Sequence, residues 1–146
     1  MVGQWLTAWC ASRSDIVATI SDRVQPAATS QGLALPRVVY SVIGSAPVRT
    51  LNAALGLTRT RLQVEAQAAT YAAARALARA IKGDADNANL GSRLAGYQGT
   101  LGNVQVQGCH LDFETELYET PVNRSDVGVH RVVMDFIVWH KFTPAA

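Results

Sequence analysis

Four stretches of the chain alternate between apolar and polar residues with period two, and three others carry apolar residues at helical spacing. The alternating stretch nearest the C-terminus runs from Val129 to His140. Val132, Met134, Phe136 and Val138 share one parity, and Arg131, Val133, Asp135, Ile137 and Trp139 share the other. Strand side chains point to opposite faces in turn, so this segment predicts a β-strand with apolar residues on both faces. The first row suits the chain's own helices. The second, through Val133, Ile137 and Trp139, calls either for a second small core within the chain or for a neighbouring subunit.

Arg37 to Ile43 is rich in β-branched residues, enters through Pro36 and ends at Gly44, which predicts a second strand. Arg59 to Gln67 sets Leu62, Val64 and Ala66 against Arg61, Gln63, Glu65 and Gln67, the pattern of a half-buried strand antiparallel to the one before it. Between them, residues 45 to 57 are expected to be a long loop. Val104 to Tyr118 alternates but changes phase, with Val104 and Val106 on one parity and Leu111, Phe113 and Leu117 on the other, so Gly108 is a bulge or a bend. Opposite Leu111 and Phe113 this places Asp112, Glu114 and Glu116 in one acidic row.

Helical spacing appears first in Val2, Leu6, Trp9 and Cys10, then in Ile16, Val17 and Ile20, with Ser12 or Ser14 available as a cap between two short helices. It returns after Thr70, where Tyr71, Ala74, Leu77, Ala78 and Ile81 form a stripe, Arg75 and Arg79 face away, and Gly83 follows Lys82 as the stop. Gln25 to Gly32 reads as a loop, residues 84 to 102 as a mobile, glycine-rich excursion, and residues 119 to 128 as a turn. The expected fold is therefore α+β in a single domain over residues 1–146. It consists of an antiparallel sheet of about four strands, a long helix packed on one face and short N-terminal helices.

Composition narrows the function. Apolar residues make up 49% of the 146-residue chain and charged residues 16%, which is fewer charges than a solitary soluble monomer favours and fits burial between subunits. A net charge of +2, with the basic residues scattered, argues against binding nucleic acid through phosphate neutralisation. No apolar run approaches the ~20 residues of a membrane span, and the N-terminus lacks the charged and apolar regions of a signal peptide. The two cysteines, Cys10 and Cys109, read as free, reduced thiols.

Candidate chemistry is sparse, and nothing calls for a cofactor or metal. His130 and His140 share a parity but lie ten residues apart, roughly 33 Å at strand rise. Cys109 and His110 are neighbours on one strand and so point to opposite faces. Serine-nucleophile and phosphate-loop motifs are absent. The acidic row has a plain reading as a solvated strand face and a sharper one as the lining of a channel or subunit contact.

Two runs, Ser14-Asp-Ile-Val-Ala-Thr-Ile-Ser-Asp-Arg-Val-Gln-Pro26 and Leu35-Pro-Arg-Val-Val-Tyr-Ser-Val-Ile43, resemble the opening of the tail-completion proteins of long-tailed bacteriophages. Thr60 to Ala78 resembles that family's strand leading into its main helix, and Asp135-Phe-Ile-Val-Trp-His140 resembles its closing strand. The likeness spans roughly residues 4 to 141 and rests on helix and strand patterns without a catalytic signature. It implies a non-enzymatic virion protein of the tail end or neck, made in the host bacterial cytoplasm. Members of this family and the similar tail terminators assemble as rings, commonly hexameric, that cap the tail tube and join it to the head, with DNA passing through the lumen unread.

On that resemblance, Arg131, Val133, Asp135, Ile137 and Trp139 are candidates for the subunit interface and Asp112, Glu114 and Glu116 for the lumen. Arg49, Asn52, Leu55, Arg93 and Tyr97 are candidates for loop contacts with the tail-tube protein and a neck or head-completion protein. Two rival readings stand beside it: a small ferredoxin-like enzyme holding substrate near Cys109, His110 and the acidic row, and another head–tail adaptor.

Overall fold

A computed structural model describes residues 2–27, 34–49, 54–83, 94–120 and 128–142. The helices are α1 (Val2–Ala11), α2 (Ser14–Ile20) and α3 (Tyr71–Lys82). The strands are β1 (Val24–Pro26), β2 (Arg37–Arg49), β3 (Ala54–Ala68), β4 (Gly99–Leu101), β5 (Val104–Glu119) and β6 (Val129–Phe142).

All six strands form one sheet in the order β1-β2-β3-β6-β5-β4. It is mixed, because β1 runs parallel to β2 while every other neighbouring pair is antiparallel. The expected α+β fold, with about four antiparallel strands under a long helix, is therefore corrected to a predominantly β chain. Among the described residues its sheet has six strands and its longest helix has 12 residues.

One misread breaker and two short strands account for the difference. Gly44, expected to end a strand, sits at a register shift between Val42 and Gly44, and β2 continues through Pro47 to Arg49. Proline is tolerated there because no described strand pairs with the outer edge of β2 beyond Tyr40. Most of the expected 45–57 loop is thus a long arm of the β2–β3 hairpin. The two added strands, β1 and β4, have three residues each, too few for an alternation pattern to show in sequence.

One face of the sheet carries all three helices. Val38, Leu62, Val64, Ala66, Val132, Met134, Phe136 and Val138 project from it into a single core with Trp5, Leu6, Trp9, Ile16, Ile20, Leu77 and Ile81. Helix α3 begins at Thr70, whose hydroxyl accepts a hydrogen bond from the Ala73 amide, and ends at Gly83 with φ 85°. Helix α2 starts after Arg13 without a side-chain cap, and Ser12 Oγ turns back to donate to the Trp9 carbonyl.

The described part of the 84–102 segment is anchored in this core by Leu94 and Tyr97. Leu94 is fully buried, its amide donates to the Ile81 carbonyl, and the Gly96 amide donates to the Cys109 carbonyl. Tyr97 is 7% exposed, with its ring centroid 5.5 Å from that of Trp5.

Candidate functional site

The sheet face away from the helices, here the outer face, and the two sheet edges carry most of the residues singled out above. Strand β6 is central, flanked by β3 and β5. The register places Arg59, Arg61, Gln63, Glu65 and Gln67 of β3 beside Trp139, Ile137, Asp135, Val133 and Arg131 of β6.

Long polar side chains lie across this row and close it. Arg131 pairs with Glu65, which also accepts from Gln67 Nε2 at 2.7 Å, while Gln67 Oε1 accepts from Arg37 Nε at 2.7 Å. Arg61 spans two carboxylates, reaching Asp112 at 2.8 Å and Asp135 at 3.2 Å, and these contacts raise its already high pKa. The Arg59 guanidinium lies 5.8 Å from the centroid of the Trp139 ring.

Val133 and Ile137 are consequently 4% and 2% exposed, covered by their own chain. Of the two readings of this apolar row, a second small core within the chain or a subunit contact, Val133 and Ile137 follow the first, under a roof of ion pairs, and of the five only Arg131, Asp135 and Trp139 retain partial exposure. Aliphatic stems of arginine and glutamine supply that cover, which a count of apolar residues does not register.

The acidic row divides between the two faces. A register shift between Leu111 and Phe113 leaves Asp112 at a bulge, reversing the parity of the residues after it. Asp112 therefore joins Arg61 on the outer face, while Glu114 and Glu116 turn to the helix face. There Glu114 pairs with Arg75 at 2.8 Å and Lys82 at 2.7 Å, and Glu116 pairs with Arg75 at 3.2 Å and accepts from the Tyr71 hydroxyl. Burial acts to raise the Glu114 carboxyl, but Lys82 and Arg75 outweigh it and hold the group below the ordinary carboxylate range. The same shift carries Phe113 and Leu117 to the outer face, 57% and 47% exposed.

Residues proposed as substrate-holding do not converge. Cys109 is buried in the helix-side core, and burial pushes its thiol up to about 12, whereas His110 is exposed beside Ile137 on the outer face. His140 Nε2 is 2.8 Å from Thr60 Oγ1, and burial holds the ring below its ordinary pKa. His130 packs at a tilt against Tyr118 and edge-on against Tyr71. Among the described residues no three His, Cys, Asp or Glu side chains are grouped to hold a metal.

Of the five loop candidates, Tyr97 is a core residue, Asn52 and Arg93 lie outside the described residues, and Arg49 and Leu55 are described in backbone only, at the facing ends of β2 and β3. A shallow hollow of about 280 Å³ lies next to that hairpin, lined by Ile43, Gly44, Ser45, Ala46, Arg59 and Arg61. The sequence pattern does not reveal it, because Ser45 and Ala46 fall in the segment expected to be a loop.

The chain matches no protein-family model and no curated protein. Among solved structures it is similar to a chain of the virion of a native gene transfer agent particle, with a TM-score of 0.61 and 16% identity over 90% of this chain and 88% of that one. At that identity the likeness is one of fold.

Proposed function

We propose that this chain is a structural protein of a phage-type virion. It acts at the tail end or neck by assembling into a ring that completes or terminates the tail tube and joins it to the head. The observation that carries this reading is the near full-length fold likeness to a chain of a gene transfer agent virion. The sequence resemblance to tail-completion proteins points the same way. In this reading the sheet is the wall of the ring, the helices brace one side of it, and DNA passes through the lumen without being read. The tail-tube protein and a neck or head-completion protein are the partners at the two rims.

Size-exclusion chromatography with light scattering, followed by negative-stain microscopy of the full chain, tests the proposal. A closed ring of one discrete mass, hexameric by family resemblance, is the expected result. A strictly monomeric species at virion-like local concentration overturns it.

A further inference from the structure

Both long edges of the sheet are incompletely covered. On one side β1 pairs with Val38, Val39 and Tyr40 of β2, and no described strand pairs with the outer edge of residues 41–49. On the other side β4 pairs with Val104, Gln105 and Val106 of β5, the Cys109 carbonyl is taken by the Gly96 amide, and no described strand pairs with the outer edge of residues 110–119. Bare edges present rows of unsatisfied N–H and C=O groups, which a compact protein normally blocks. Apolar side chains flank these two: Val42 and Ile43 are 50% and 54% exposed beside one edge, and Phe113 and Leu117 project beside the other.

The edges also differ in charge. From Arg23 to Val64 the sequence holds five arginines and no acidic residue, whereas Val104 to Glu119 holds four carboxylates and no lysine or arginine. Asp112 is paired with Arg61, and Glu114 and Glu116 with α3, inside the protomer, which leaves Glu119 as the acidic residue of this edge without such a pairing among the described residues. Glu119 is complementary to the arginine-bearing β2 side and not to a second β5 edge, which favours a heterologous, head-to-tail contact over a two-fold one.

We infer that the occupant of the bare β2 edge is the bare β5 edge of a second copy of this chain, so that the sheets join into one continuous wall. This inference rests on the ring proposed above and names the surfaces that would build it.

Strand direction agrees. Successive antiparallel pairings make β2 and β5 run oppositely within a protomer, and rotation about an axis near the strands preserves direction. A neighbour's β5 therefore meets β2 antiparallel, with both helix faces on the same side. The short strands act as stops, β1 below the open part of β2 and β4 beside the start of β5.

Register agrees as well. Within a protomer Ser41 is level with Gln63, Asp135 and Phe113, so setting Leu117 to Glu119 of the neighbour beside Ser41 slides that copy by four to six residues. The slide is ~13–20 Å at strand rise, against ~19 Å of width for four strands. The resulting strand tilt is about 35–45°, the range in which sheets close on themselves. The Ser41–Glu119 register brings Ile43 beside the neighbouring copy's Leu117 and sets that copy's Phe113 against the hollow lined by Ala46 and Arg59.

Ser41 and Glu119 belong to opposite edges of one protomer, so a disulfide between cysteines at these positions can form only between copies. In the full chain, Ser41→Cys combined with Glu119→Cys, or with Leu117→Cys for the adjacent register, should give an oxidant-dependent ladder up to the ring mass on non-reducing gels. Each single variant should give no species beyond a dimer. Phe113→Ser should raise the concentration needed for assembly tenfold or more without changing the far-ultraviolet circular dichroism.

Assembly by light scattering without a ladder in either double variant, or with unchanged assembly of Phe113→Ser, overturns the edge pairing and leaves the ring intact. Absence of assembly in the parent chain overturns both.

Discussion

Ile137 shows how a residue can be central to the sheet and still look exposed from its sequence surroundings. It sits between Arg61 and His110 on the outer face, yet 2% of it is accessible, because Arg61 reaches across to Asp112 and Asp135. Truncating it leaves a cavity under a charged roof that cannot collapse. Ile137→Ala should therefore cost about 3 kcal/mol, read from the urea midpoint, whereas Leu117→Ala on the same face should change monomer stability by less than about 0.5 kcal/mol. Equal effects would show that the roof gives no real cover. The two thiols make a second residue-scale expectation. Burial pushes Cys10, against the opposing pull of Arg13, and Cys109 each up to about 12. At pH 8 neither should react with a thiol reagent in the native chain, and both should react after denaturation. Rapid labelling of the native protein would contradict the burial.

At the scale of elements, α3 is attached to β5 by charge as well as by its apolar stripe. Glu114 accepts from Arg75 and Lys82 on that helix, and its folded-state pKa lies below the ordinary value. The unfolded chain therefore takes up a proton first as pH falls. The contribution of Glu114 to stability is complete above about pH 4.5 and is lost as pH drops through the folded-state value. The stability gap between the parent and Glu114→Gln should be largest at pH 7 and close towards pH 3 in paired urea titrations; a gap independent of pH would remove the ion pairs as its cause. This attachment was hidden in the sequence. The helix itself was legible from Thr70, the apolar stripe and Gly83, as was the central pair β3–β6 from its alternation. The bulge at Gly108 was visible as a phase change, but the second, at Asp112, leaves apolar residues on both sides and so put three carboxylates on one face by parity. Gly44 concealed the length of β2 because breaker rules assume a strand paired on both sides, and no described strand pairs with the outer edge of this one beyond Tyr40. What local pattern cannot carry is which edge is open, since that depends on strands distant in sequence.

For the whole molecule, the outer edges of β2 and β5 carry backbone groups that no described strand pairs with, which water or a neighbour can satisfy. If the ring is the native state, unfolding is coupled to dissociation, and thermal stability must then depend on protein concentration. For a hexamer that dissociates as it unfolds, a tenfold rise in concentration adds about 1.1 kcal/mol per protomer, which is RT ln 10 scaled by five-sixths. For a chain of 146 residues, 1 kcal/mol moves the midpoint by about 2–4 °C, so calorimetry across a hundredfold range of concentration should show a rise of about 4–9 °C. Phe113→Ser, which removes an exposed apolar side chain beside the β5 edge, should flatten that slope while leaving the dilute-limit midpoint in place. A midpoint independent of concentration in the parent chain would mean that the protomer is stable alone, and the low surface charge would then need an explanation other than burial between copies.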